Sequence, residues 1–324
     1  MKLRLLMTVA VTSVAALALT ACGTTEAPAS SSAPTAAAIT ITDASGTKVT
    51  LDGPAKKVVG TEWNVVENLV SLGVDPVGVS DVKGYQAWDS TVPLTNDPTD
   101  IGTRGEPSVD TIATLAPDLI VATTDLTEAA VAQLRKIAPV IQVRSADASD
   151  QINQMLTNLD MIAQATGTET RAAEVTAAFT AKLAEGKAAI AAAGLTGDKV
   201  AFADGYLDAN QVAIRPYAKG SLIGDVTEEL GLVNAWTIKG DAAYGLATTD
   251  VEGLTKLGDV HFLYFSNSVD GDPFVDSLAK NAIWKSLPFV KSDQVDRIPD
   301  GIWVFGGPES MNAYVDAVVA ALTK

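Results

Sequence analysis

Cysteine and histidine are almost missing from this sequence. Its 324 residues hold one of each, Cys22 and His261. A single cysteine excludes a disulfide framework, so the fold has to rest on its core. A single histidine removes the usual ligand set for capturing zinc or manganese. Any Ser-His-Asp or His-Asp catalytic arrangement would have to use His261. That residue stands in the apolar run 260–265, where a satisfied core or edge histidine is the commoner case. No glycine-rich loop opens a helix in the manner of a phosphate site. Gly306-Gly307 runs into Pro308, and no Lys-Ser/Thr pair follows. Positive charge is scarce as well: 23 Lys and Arg stand against 39 Asp and Glu, a formal net charge of −16. Such a surface repels nucleic acid and anionic headgroups and keeps an abundant protein soluble.

What is present begins at the amino end. Lys2 and Arg4 form a basic head, residues 5–19 an uncharged apolar run, and Leu19-Thr20-Ala21 leads to Cys22. Head, short apolar core and small residues before a cut site describe a secretory signal over residues 1–21. The run is shorter than the roughly 20 residues that span a bilayer. A cysteine after Leu-small-small resembles the bacterial lipobox, which implies acylation of Cys22 and a protein tethered to the outer face of the cell membrane. Residues 22–38 are Thr, Ala, Pro and Ser with one charge, Glu26. They bury too little to fold and read as a flexible spacer.

The remaining chain is 47% hydrophobic overall, enough for two domain-sized units. Over residues 39–167, short apolar runs alternate with helical spacing, which predicts an α/β lobe with a mainly parallel sheet. Residues 168–197 read as one long helix; 24 residues at 1.5 Å each give ~36 Å, enough to join two domains. Beyond it, over 198–324, the βα alternation resumes as a second Rossmann-like lobe. A cleft is expected between the lobes.

Loops at the carboxyl ends of strands are where such sheets bind ligands. Trp63, Trp88 and Trp303 are expected in loops of that kind or beside Gly-rich turns. Arg104 stands in Ile101-Gly102-Thr103-Arg104-Gly105-Glu106-Pro107, ahead of a helix. Its planar fork suits ligand oxygens, and a local salt bridge with Glu106 or Asp110 is the plainer use.

Several segments in order resemble the ferric-siderophore binding proteins of ABC importers, above all the hydroxamate branch. They include Glu62-Trp63-Asn64-Val65-Val66-Glu67-Asn68-Leu69, Tyr85-Gln86-Ala87-Trp88, the Gly-x-Arg-x-Glu-Pro segment around Arg104, Leu115-Ala116-Pro117-Asp118-Leu119-Ile120 and Ile302-Trp303-Val304-Phe305-Gly306-Gly307-Pro308. The resemblance implies a monomeric binding protein rather than an enzyme, in which Arg104 meets the iron-bound oxygens and Trp63, Trp88 and Trp303 form an apolar wall. It implies further ligand contacts at Tyr244, Arg215 and Tyr217, and acidic docking residues at Glu67 and Asp225 for a permease that is served by its ATPase. It implies no cofactor of the protein's own, since the siderophore fills the iron shell. Ferric citrate, haem or a cobalamin-like compound is the alternative ligand. A tethered hydrolase working through His261, or an adhesin without a small ligand, is the alternative class.

Overall fold

Alternating burial turns one face of the first hairpin inward. The strands β1 (Ile39–Thr42) and β2 (Lys48–Leu51) pair antiparallel and bury Ile41, Val49 and Leu51. The computed structural model describes residues 37–324 apart from residue 210, so the leader, Cys22 and most of the spacer lie outside the described residues.

The central strands that follow carry no polar face, as parallel strands covered on both sides require. They are β3 (Val58–Gly60), β4 (Gly78–Val79), β5 (Thr99–Asp100), β8 (Leu119–Thr123) and β9 (Val140–Val143), and they form one parallel sheet in the order β5-β4-β3-β8-β9. A small ladder of β6 (Gly102–Thr103) and β7 (Glu106–Pro107) lies beside it. Helices α1 (Trp63–Ser71), α2 (Val82–Trp88), α3 (Val109–Leu115) and α4 (Glu128–Leu134) connect the strands. Successive strand residues point to opposite faces. Val58, Leu119, Val121 and Ile141 therefore join a core with Val65 and Leu69 of α1, while Val59, Ile120 and Ala122 join Ile112 of α3 and Val131 of α4.

Two helices lead out of this lobe, α5 (Gln151–Thr166) and α6 (Glu169–Ala192), parted by Gly167 at φ 68°. The second sheet runs β11-β10-β13-β14, with β12 also on β10. Its strands are β10 (Lys199–Asp208), β11 (Gln211–Pro216), β12 (Val233–Asn234), β13 (His261–Phe265) and β14 (Val295–Arg297). All its pairings are parallel except β10 with β11. Helices α7 (Leu222–Glu229), α8 (Pro273–Asp276), α9 (Ala282–Ser286), α10 (Pro288–Lys291) and α11 (Pro308–Leu322) complete the lobe. The α/β architecture of two sheets is the one the sequence predicts.

Three local expectations change. Tyr85 and Trp88 stand on α2 rather than in a loop, because Asp81, itself at φ 51°, caps that helix by accepting from the Gly84 N–H. Trp63 opens α1. The strand expected at 200–202 extends to Asp208 and returns as β11, a hairpin the sequence reading omits. The helix expected at 251–257 is a single 3-10 turn, Gly253–Lys256.

The lobes share a core. Trp63, Val66, Val79 and Tyr85 of the first pack in one cluster with Phe202, Leu263, Phe265, Met311 and Tyr314 of the second. Hydrogen bonds cross at the same level: Gln151 Nε2 donates to the carbonyls of Gly220 at 2.8 Å and Ala243 at 2.7 Å, and Asn267 Nδ2 to that of Ala87 at 2.7 Å.

Candidate functional site

Residues that follow the carboxyl ends of β3, β4, β10 and β13 line a cavity of about 430 Å³. That is the size of a small-molecule site, and the position is the one open α/β sheets use. Its first-lobe wall is aromatic. Trp63 sits at the start of α1, where its indole N–H donates to the Ser80 carbonyl at 3.2 Å. A Cβ on Gly84 would lie 2.4 Å from the Trp63 ring, so the turn of α2 beneath the indole has to be glycine. The Trp63 and Trp303 rings meet edge to face at 4.8 Å, and Trp88 lies 5.2 Å from Phe265 and 6.5 Å from Trp303. The three tryptophans and Phe265 thus make one apolar wall.

Arg104 lies against this wall. Its guanidinium carbon is 3.9 Å from the Trp63 ring centre and 5.4 Å from that of Trp303. One nitrogen donates to Glu62 Oε1 at 2.8 Å, so its ion-pair partner is Glu62 and not Glu106 or Asp110. The fork is held flat on an indole face with donors to spare, an arrangement suited to oxygen acceptors in the cavity.

Arg215 also lines the cavity. It is bound in two-pronged fashion to Asp204, with Nε 2.9 Å from Oδ1. Burial opposes its charge, but Tyr217 and Asp204 outweigh that and hold it above the usual arginine range. Tyr217 does not reach the cavity. It is 1% exposed, and its hydroxyl donates to Asp204 at 2.9 Å. The expected ligand contact at Tyr217 is corrected to a support behind Arg215 and Asp204. Tyr244 is likewise absent from the lining. Its hydroxyl donates to Asp125 at 2.5 Å across the lobes, and its ring meets Phe305 at 5.5 Å. Tyr244 therefore leans on the segment Thr123-Thr124-Asp125, the loop after β8. His261 begins β13, at the end of the strand away from the cavity, with Nε2 3.8 Å from Asp198. A hydrolytic site built on His261 has no place there.

Sequence reading missed Asp204, Tyr206, Phe265 and Asp270, all of which line the cavity. A usable signal existed for two of them. Phe265 ends an apolar strand, and Asp270-Gly271-Asp272-Pro273 is turn chemistry just beyond it.

A family model described as "Periplasmic binding protein" matches residues 58–301. The chain belongs to the periplasmic binding protein family. Among curated relatives it is 32% identical over 257 residues to the Fe(3+)-citrate-binding protein YfmC of Bacillus subtilis (strain 168), covering 76% of this chain and 74% of that one. It is 24% identical over 260 residues to the Iron(3+)-hydroxamate-binding protein FhuD of Escherichia coli (strain K12), covering 80% and 84%. Among solved structures, the Fe3+ - Desferal bound siderophore binding protein FhuD from Vibrio cholerae superposes with a TM-score of 0.74 at 26% identity, covering 83% of this chain and 98% of that one. The family binds substrates and is not enzymatic.

In this binding protein Glu67 is no docking residue. It has no exposed surface, and its carboxylate accepts the backbone N–H of Gly307 at 2.7 Å and of Ser310 at 2.9 Å. It occupies the amino end of α11 as an internal anion, where unpaired N–H groups and the helix dipole favour negative charge. A side chain without surface cannot be offered to a membrane partner. Burial pushes Glu67 up to about 7, against the hydrogen bonds from Ser310 and Gly307. Asp89, also buried, accepts from the Ser310 hydroxyl at 3.3 Å, and burial and then Glu67 hold it well above the usual carboxylate range. Both oxygens of Glu67 are occupied by donors, so the negative charge belongs on Glu67 and a proton on Asp89.

Asp225 is half-buried at the lobe junction. Burial raises it to about 6, opposed by a hydrogen bond from the Gln151 backbone at the start of α5. It is tied to the first lobe rather than held out to solvent, whereas Glu228 and Glu229 on the same helix are exposed.

Proposed function

We propose that this protein, lipidated at Cys22 and tethered to the outer face of the cell membrane, captures a ferric siderophore of the hydroxamate type and delivers it to an ABC importer. The observation that carries this reading is the cavity walled by Trp63, Trp88 and Trp303, with the Arg104 guanidinium 3.9 Å over the Trp63 ring. Iron is cargo here. A siderophore surrounds it with its own oxygens, so the receptor supplies an apolar face for the carbon skeleton and a flat cation for the partly negative chelating oxygens. Arg104 can donate to those oxygens while it stays stacked and keeps its bond to Glu62. The protein works as a monomer, docks to the permease through acidic surface groups, and meets the membrane only through its lipid.

A titration against a siderophore panel tests the reading. The tryptophans that wall the cavity should be quenched by ferric trihydroxamates at micromolar concentrations or below. Strong quenching by ferric citrate with none by any hydroxamate would replace the ligand. Ferric citrate is the second reading, favoured by the 32% identity to a protein named for it. Cys22→Ala should release the protein from membranes and leave its affinity for the iron complex unchanged. A variant that stays in the membrane fraction would remove the anchor.

A further inference from the structure

The first-lobe wall of the cavity is aromatic, and the second-lobe wall is acidic. Four aspartates line it, Asp204, Asp270, Asp272 and Asp276, against the arginines 104 and 215. Both arginines are already matched, Arg104 by Glu62 and Arg215 by Asp204. Asp272 is matched too, by Arg297 at 3.4 Å, and it is tied down further by the Tyr264 hydroxyl at 3.1 Å. Among the described residues, Asp270 and Asp276 have no cationic partner. With every arginine around the cavity paired, these two carboxylates leave its charge negative.

The same wall carries apolar surface that the fold does not use. Tyr206 and Leu207, near the end of β10, are 54% and 60% exposed and line the cavity. Large apolar side chains left this open at a cavity wall mark a contact surface. An aliphatic strip beside two uncompensated carboxylates fits a hydrocarbon arm that ends in a cation.

We propose that the cavity selects ferric siderophores carrying a protonated primary amine on an alkyl arm, which lies along Tyr206 and Leu207 and ends at Asp270 and Asp276. This rests on the siderophore reading above and deepens it. The ammonium has three donors for the two carboxylates. The attraction is partly screened by solvent, so it acts as selection among complexes and not as the main source of affinity. An anionic complex such as ferric citrate meets the reverse charge balance.

The test compares ferric Desferal, whose trihydroxamate has a free terminal amine, with its N-acetylated form, which keeps the iron centre and loses the charge. By tryptophan quenching, the wild-type protein should bind the free-amine complex about 5- to 10-fold more tightly, and the ratio should shrink in high salt. In Asp270→Asn/Asp276→Asn the ratio should fall to about 1; both residues are exposed, so the fold is not at stake. Equal wild-type affinities, or a ratio that survives in the double variant, would overturn the selection while leaving hydroxamate capture standing. If neither complex binds, hydroxamate capture itself fails and takes this inference with it.

Discussion

Arg104 concentrates the chemistry of the cavity in one side chain. Its plane stacks on Trp63 and its charge is matched by Glu62. Arg104→Ala should weaken binding of the ferric complex by about 1.5–3 kcal/mol, the range for a hydrogen bond to a charged group, measured by quenching of the remaining tryptophans. Arg104→Lys should restore little, because an ammonium has no plane to stack. Unchanged affinity in the alanine variant would take Arg104 out of the site. A second residue-scale consequence comes from the buried acids. Glu67 rises from 4.5 to about 7 on folding. The native state therefore holds a proton that the unfolded chain gives up. The stability from this source is complete below about pH 4.5 and is lost as pH climbs through about 7, and Asp89, also raised, extends the loss upward. Thermal melts should fall between pH 5.5 and 8. Asp89→Asn keeps the shape without the titration and should flatten that slope; an unaltered slope would mean the pair does not govern it. Nothing in residues 62–69 announces this. Glu67 reads as a solvated helix face, and its partner at Ser310 lies 243 residues along the chain.

At the scale of elements, the βα rhythm of both lobes was legible because buried parallel strands and amphipathic helices leave different periods in the sequence. The elements that escaped were those set by single residues. The helix α2 depends on an Asp81 cap in a left-handed conformation and on a glycine that fits under Trp63. The hairpin β10–β11 bears Asp, Gly and Asp among its last residues, not β-branched alternation, and its turn includes Ala209 at φ 54°. The tryptophans were legible as a wall from their types and positions; Tyr217 and Tyr244 were not separable from it, because a buried tyrosine and a ligand-facing one have the same letter. The amino end of α11 was visible only as Gly306-Gly307-Pro308. Its meaning is steric: a Cβ on Gly306 would lie 2.1 Å from Glu67 Oε2. Gly306→Ala should therefore cost about 1–3 kcal/mol or more by overpacking, read from denaturant midpoints. A neutral result would mean that the clasp on Glu67 has room to shift.

At the scale of the whole molecule, the shared core matters most. Trp63, Val66 and Tyr85 from one lobe and Phe202, Phe265 and Tyr314 from the other lie in one cluster. Opening the lobes would expose this surface and strand Glu67 away from its donors. The described body should therefore unfold in a single calorimetric transition, with matched calorimetric and van't Hoff enthalpies, and a bound iron complex should raise that one midpoint. Two resolved transitions would show the lobes to be independent.

The span of the chain across the site has a consequence for its making. The aromatic wall joins Trp63 to Trp303, and the clasp joins Glu67 to Ser310. A chain that emerges amino end first carries the first lobe long before either partner exists. Until the last helix arrives, Glu67 is an ordinary wetted carboxylate and Trp63 has no companion ring. Unfinished copies are therefore blind to iron chelates, and competence to bind appears only with the final residues.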